Sequence, residues 1–392
     1  PKKLPLHPVM AKNGFQTGRV VLVSFAHMMH DIYSAFLAPL LPLLIDKFSL
    51  SYSGAAALSL LQRLPVLFNP VIGVMADRLA MRYLIIIAPA VTATTMSLVG
   101  LAPSLTVVIV LLLVMGISSA LFHVPTPVMV RKISGDKVGK GMSFYMFGGE
   151  MARTLGPLVV LGAVSLWGME GTWRLIPFGI AASVLLWFKL HNIHISEDLR
   201  KKKMESGVKR IFVEHWPLFV VLIGITFFRA IMRASLTTFL PTYMEDIGRG
   251  WEIGGIYLSV LELAGAVGTL FWGTVSDKMG RRLSLLIIAA VSPVLMYLFV
   301  DASGWASLII LVMLGFFLLG TTPILLALVQ DRSRERPAFM NAMFMTISFG
   351  TGAIAVVMAG GIADITGIRE AFRISSYIAV GAVPFVLMIR KR

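Results

Sequence analysis

The sequence predicts an all-α membrane protein of twelve transmembrane helices, arranged as two pseudo-symmetric six-helix halves. Three observations predict it. The 392 residues are 57% hydrophobic and only 14% charged, and the mean hydropathy of +0.83 lies far outside that of water-soluble chains. Apolar runs of about 20 residues, the length that crosses a bilayer as a helix, recur twelve times along the chain. One short charged break is written twice, as Gly73-Val-Met-Ala-Asp77-Arg78-Leu-Ala-Met-Arg82 and Gly273-Thr-Val-Ser-Asp277-Lys278-Met-Gly-Arg281-Arg282, at a constant offset of 200 residues. A regular offset of this kind marks the tandem duplication of a membrane unit.

The first six spans fall near 20–45, 53–75, 83–101, 105–130, 141–166 and 172–190, within an N-terminal half of residues 1–190. The second six fall near 216–240, 253–275, 283–300, 305–329, 338–362 and 370–389, within a C-terminal half of residues 216–392. Between them, residues 191–215 carry Arg200-Lys-Lys-Lys203 and Lys209-Arg210 and read as a basic, solvated linker. The other joins are too short for soluble domains. Pro1 to Gly18 is polar and basic, without the apolar core or small-residue cleavage site of a signal peptide, so the first span is expected to drive insertion.

The net charge of +15 would suggest nucleic acid in a soluble chain, but it is distributed by side. Of 35 lysines and arginines, 26 lie on the face of the termini, five on the opposite face, and four inside spans. By the positive-inside rule both termini are cytoplasmic. A cell-membrane location, in a bacterial inner membrane, follows as the expectation, and the basic excess is a topology signal with no nucleic-acid partner. The absence of cysteine excludes disulfides, thiolate metal sites and cysteine catalysis. The 23 methionines read as lipid-facing or core filler.

Twelve spans in two halves, with a Gly-x3-Asp-Arg/Lys-x3-Arg loop after the second span of each, resemble the major facilitator superfamily. Within it the chain resembles the fosmidomycin-resistance family of efflux transporters. The residues carrying that likeness are His27-Met-Met-His-Asp31 in span 1, Gln62 and Asn69-Pro70 in span 2, Gly116-Ile-Ser-Ser-Ala-Leu-Phe-His123 in span 4, and Gly148-Gly149 with Leu155-Gly156-Pro157 in span 5. The resemblance implies a monomeric transporter without a cofactor, driven by the proton gradient. It also implies that the loop residues Gly73, Asp77, Arg78, Arg82, Gly273, Asp277, Lys278, Arg281 and Arg282 act in gating. Aspartate at a helix end binds backbone amides or a basic partner across the interface; the plainer reading is of topology-setting charges on a tight turn.

Charged residues at bilayer depth are expensive and usually face a wet cavity or a partner. Here they lie in spans 1, 2, 5, 7 and 8, and none lies in the middle of spans 3, 6, 9 or 12, which the resemblance makes peripheral. At about 1.5 Å of rise per residue, Arg63, Glu150, Arg153 and Glu262 fall near the midplane. Arg63, Arg153, Arg229 and Arg233, with Gln62 and Tyr33, are the candidate substrate-binding residues. Guanidinium groups fork onto carboxylate, phosphate or phosphonate oxygens, which points to a small anionic, zwitterionic or amphiphilic substrate. His27, Asp31, Glu150, Glu262 and His123 are the candidate proton carriers. The alternative for these groups is internal pairing, of Arg153 with Glu150 or Glu262 and of Arg63 with Asp31. Arg63, Glu150, Arg153, Arg233 and Glu262 depart from the fosmidomycin-resistance pattern, so a substrate other than fosmidomycin is expected.

The leading reading is a proton-coupled antiporter that exports such a compound by rocking one half against the other. The alternatives are an organic-anion uptake transporter, a divalent-metal exporter built on His27, His30, Asp31 and His123, and a membrane enzyme or receptor using a His-Asp pair. No nucleophile motif accompanies that pair, and the chain is not expected to be an enzyme.

Overall fold

The computed structural model describes residues 14–68, 81–135, 137–191, 213, 215–332 and 337–389. Among the described residues all regular structure is helical, as bilayer burial demands when every backbone polar group must be satisfied within its own segment. Ten helical stretches are long and apolar enough to span a membrane. The other two spans are the 30-residue helix Val138–Trp167 of span 5 and the helix Tyr52–Arg63 of span 2. The first is diluted by glycines and by Glu150 and Arg153. The second continues as a 3-10 turn to Phe68, where description stops.

Local sequence sets the breaks. Ser51 caps span 2 by accepting the Gly54 amide, and Ser104 caps span 4 through Val107. Gly280, at φ +88°, separates the helices Trp251–Met279 of span 8 and Arg281–Asp301 of span 9 in a conformation that suits glycine. Span 1 is two helices, Thr17–Ser34 and Leu37–Phe48, and span 10 is also two, Gly304–Leu318 and Thr321–Arg332. Spans 7 and 11 are the continuous helices Trp216–Asp246 and Pro337–Thr366. The proposed linker, residues 191–215, lies outside the described residues except for His191, Val213 and His215.

The two halves repeat one packing scheme. Span 1 packs on span 5 as span 7 does on span 11, span 2 on span 4 as span 8 on span 10, and span 3 on span 6 as span 9 on span 12. Across the interface span 5 meets span 8, span 2 meets span 11, and the second helix of span 1 meets span 7. At the end of the bundle away from the termini, one continuous apolar core joins both halves, including Leu40, Leu58, Phe239, Leu261 and Phe372. At the terminal end each half has its own core, around Phe122 and Leu186 in one and Phe219 and Leu325 in the other. Among the described residues the apolar core is therefore shared at one end and divided at the other.

Candidate functional site

Two polar clusters lie among the spans that line the interface. The first is a nest inside the N-terminal half. Asp31 receives three imidazoles: His27 Nε2 at 3.1 Å, His123 Nε2 at 3.3 Å, and His30 Nε2 at 3.9 Å. His27 and Asp31 are one helical turn apart and so share a face, while His123 comes from the last residue of the span 4 helix. Each imidazole is held from behind. His27 Nδ1 donates to the Tyr145 carbonyl at 2.7 Å, and its ring stacks on that of Tyr145 at 4.0 Å. His30 Nδ1 lies 3.0 Å from Thr92 Oγ1, which donates to Ser118 Oγ at 3.1 Å. His123 Nδ1 is 3.4 Å from the Tyr145 hydroxyl.

Glycine makes this nest possible. A Cβ at Gly149 would come within 2.6 Å of His27 Cε1, and one at Gly148 within 2.3 Å of the Ser24 carbonyl. The Gly148-Gly149 pair thus lets span 5 close on span 1 far enough for Tyr145 to reach the ring.

The second cluster straddles the halves. Arg153 pairs with Glu150 on its own helix and lies 3.8 Å from Glu262 of span 8. Arg63 of span 2 feels Arg233, Glu262 and Arg153, and Arg233 feels Glu262, Arg153 and Glu150. The Arg63 and Arg233 side chains make no hydrogen bond or ion pair with the described residues, so three guanidinium groups share two carboxylates. Arg63 is accordingly grouped with Glu262 and not with Asp31, against the pairing that sequence offered.

Three of the expected substrate residues are committed elsewhere. The Tyr33 hydroxyl donates to the Leu175 carbonyl at 2.7 Å, and the residue is 2% exposed, so it ties span 1 to the start of span 6 and is removed from the substrate set. Gln62 donates to the Ser34 carbonyl at 2.8 Å, tying span 2 to span 1. Arg229 donates to the Leu318 carbonyl at 2.9 Å and to Thr322, inside the C-terminal half. Although Arg229 and Arg233 are four residues apart, only Arg233 is grouped with the other charges.

Of the repeated loops, Gly73, Asp77 and Arg78 lie outside the described residues. Arg82 stacks over the Tyr83 ring at 4.8 Å. In the second copy Arg281 bonds Asp277 at 2.6 Å and Asp331 at the end of span 10 at 3.3 Å, so it binds within its own half. Gly273 is half-buried, Lys278 is exposed and Arg282 is half-buried.

At the fused end the halves are latched by groups that sequence reading missed. Asp364, near the end of span 11, accepts from the backbone amides of Tyr52 at 2.6 Å and Ser53 at 3.1 Å and from the Ser53 hydroxyl. This caps the first turn of span 2, where unpaired amides and the helix dipole favour a carboxylate. The Tyr52 hydroxyl donates to Asp246 at the end of span 7. The signal available in sequence was two aspartates ending apolar spans on the face poor in positive charge, but which amides they would meet depends on packing between halves. Tyr145, Thr92 and Ser118 were missed for the same reason.

A helical bundle of two like halves, fused at one end and carrying a charged cluster between them, is the architecture of a membrane transporter. The Major Facilitator Superfamily profile matches residues 23–356, and the chain belongs to that superfamily. It is similar to the fosmidomycin resistance protein of Escherichia coli (strain K12), 24% identical over 369 residues, covering 91% of this chain and 89% of that one. It is similar also to the uncharacterized MFS-type transporter YfnC of Bacillus subtilis (strain 168), 22% identical over 378 residues, covering 94% and 92%. Among solved structures, a bacterial homolog of the human lysosomal transporter Spinster, inward-facing and occupied, superimposes with a TM-score of 0.79 at 15% identity, covering 95% of this chain and 96% of that one.

Proposed function

We propose that the chain is a proton-coupled exporter of a small zwitterionic or anionic organic compound, working by alternating access. The observation that carries this reading is the pair Arg63 and Arg233. They come from opposite halves, lack side-chain partners among the described residues, and share Glu262 and Arg153. Arginine keeps its charge in such a place and forks onto two oxygens of carboxylate, phosphate or phosphonate. A ligand bridging Arg63 and Arg233 would draw the halves together.

Glu262 is the proton carrier in this reading, with Glu150 as the second carboxylate. Coupling direction follows from charge. Protonating Glu262 removes a negative charge beside the guanidinium groups and so favours a pure anion, which gives proton and substrate travelling together. A zwitterion instead places its cationic end on ionised Glu262 and is expelled when that carboxylate takes up a proton, which gives exchange. Export against an inward proton gradient therefore favours the zwitterion, and the resistance name of the Escherichia coli relative supports export. The conformation supports opening toward the basic, cytoplasmic face: the cores separate there, while Asp364 and Asp246 latch the opposite face.

The test is substrate uptake into inside-out vesicles with an imposed pH gradient, comparing zwitterionic aminophosphonates and amino acids with matched pure anions. Gradient-driven accumulation of the zwitterion, lost in Glu262→Gln while exchange at equal pH persists, is expected. Accumulation of the pure anion under a reversed gradient would establish uptake instead.

A further inference from the structure

The nest around Asp31 has a geometry that the anion reading does not use. A backbone carbonyl only accepts, so the 2.7 Å contact with Tyr145 fixes the hydrogen of His27 on Nδ1. In the neutral ring Nε2 then presents a lone pair to Asp31 Oδ2 at 3.1 Å. His30 is fixed in the same way. Ser118 donates to the Ala88 carbonyl and receives the Thr92 hydroxyl proton, so Thr92 accepts from His30 Nδ1. His30 is fully buried, 0% exposed, and its Nε2 has no hydrogen-bond partner and lies 3.9 Å from Asp31 Oδ1. Two imidazole lone pairs thus face one carboxylate, which also has a buried oxygen without a hydrogen-bond partner. A lone pair against a carboxylate is repulsive unless a cation stands between, and one proton can bridge only one of these pairs.

We propose that His27 Nε2, His123 Nε2 and the Asp31 carboxylate bind one first-row divalent cation of the zinc and cobalt class, with His30 Nε2 positioned to join them. The three ligand atoms lie within 4.8 Å of one another, a separation that a small side-chain shift brings within reach of one ion with bonds of about 2.1 Å. Imidazole suits these metals, and a set in which imidazoles outnumber the one carboxylate disfavours magnesium or calcium, which prefer oxygen. The backing contacts to the Tyr145 carbonyl, Thr92 and the Tyr145 hydroxyl are those that orient metal-binding histidines and fix their tautomer. The Tyr145 hydroxyl rotates and so accepts from His123 Nδ1 at 3.4 Å, which leaves His123 Nε2 free to bind an ion. The His123 side chain is 36% exposed, which gives the ion a way in from the cavity.

Arginine repulsion does not oppose this. The imidazoles of His27 and His123 are in ion-pair contact with Asp31, Arg63 and Arg233 are grouped with Glu262, and Arg153, which also feels Asp31, is paired with Glu150. All ligands belong to spans 1 and 4 and their backing to spans 3, 4 and 5, so the ion stays with the N-terminal half as the halves move.

The experiment is titration of chelator-stripped, detergent-solubilised full chain with Co2+, read by its visible absorption, followed by displacement with Zn2+. One Co2+ per chain, displaced by Zn2+, is expected. His123→Ala and Asp31→Asn should each weaken binding about a hundredfold, and Tyr145→Phe, which removes a backing contact, about tenfold. Glu262→Gln should bind as the parent does. His123 lines the cavity, so its variant is the one least exposed to misfolding, and gel filtration with a melting curve confirms that it is folded. Absence of saturable Co2+ binding, equal binding in a folded His123→Ala, or loss of binding in Glu262→Gln would each overturn the site. None of these readouts involves transport, so they stand or fall apart from the exporter reading.

Discussion

Spans 1 and 7 occupy equivalent places in the two halves, and their polar side chains have opposite character. Span 1 carries His27, His30 and Asp31, groups whose charge can change, and ties them to one another and to spans 3, 4 and 5. Span 7 carries Arg229 and Arg233, whose charge is fixed. One of these is tied to span 10, while the other has no side-chain hydrogen bond or ion pair among the described residues. Span 1 thus holds switchable groups where its counterpart holds permanent cations. In this comparison the proposed cation site lies within one half while the proposed anion site takes one arginine from each, and duplication of a fold has not meant duplication of its chemistry.

The largest effect should come from the fixed charges that lack partners. Arg233→Ala and Arg63→Ala are expected to weaken substrate binding about a hundredfold, equivalent to about 2.7 kcal/mol. Lysine should recover only part, because it loses the forked geometry. Ligand-induced thermal stabilisation measures this directly, and normal binding in both alanine variants would remove the anion site from the interface.

Next comes the pair between halves. Arg153→Glu and Glu262→Arg should each cut transport about tenfold or more, since each sets like charges side by side between the halves, and the double swap should restore part of it. Glu150 offers Arg153 a local partner, so the recovery should be clearest in a Glu150→Gln background. No recovery in vesicle transport would mean that the two residues act independently.

Arg229 sharpens the contrast from the other side. Arg229→Met removes the bonds to Leu318 and Thr322 and should cost about 1–2 kcal/mol of stability, seen as a lower melting temperature with substrate affinity unchanged. Lost affinity at an unchanged melting temperature would return Arg229 to the binding set.

The smallest effect is expected at the latch. Asp364→Asn keeps the shape but loses the charge that favours the span 2 amides, worth about 1 kcal/mol, or roughly a fivefold shift in the balance of states. The chain contains no cysteine, so single introduced cysteines on either face report that balance by labelling rate. Unchanged rates on both faces would show that Asp364 does not hold the closed end.

The fold was legible because it rests on local signals that survive without tertiary context: apolar run length, charge by side, and a loop repeated at fixed offset. The midplane charges were legible for the same reason, since a buried arginine is conspicuous in any apolar run. What could not be read was direction. Arg229 and Arg233 look alike along a helix, and only the helix opposite decides that one meets the Leu318 carbonyl. Tyr33 looked like a cavity residue because span 1 lines the cavity, yet its hydroxyl points at Leu175. Tyr145 and Thr92 were invisible because an ordinary tyrosine and threonine acquire their role from the imidazole that packs against them.

The Asp364 contact has an asymmetry in how it can be lost. Span 11 contributes a side chain, which a single nucleotide change can erase. Span 2 contributes main-chain amides at Tyr52 and Ser53, which every amino acid except proline supplies. Drift at Ser53 loses the hydroxyl contact but keeps both amide bonds, while drift at Asp364 loses all three. A transporter built this way can change side chains on one side of its closed end and still keep main-chain bonds to Asp364.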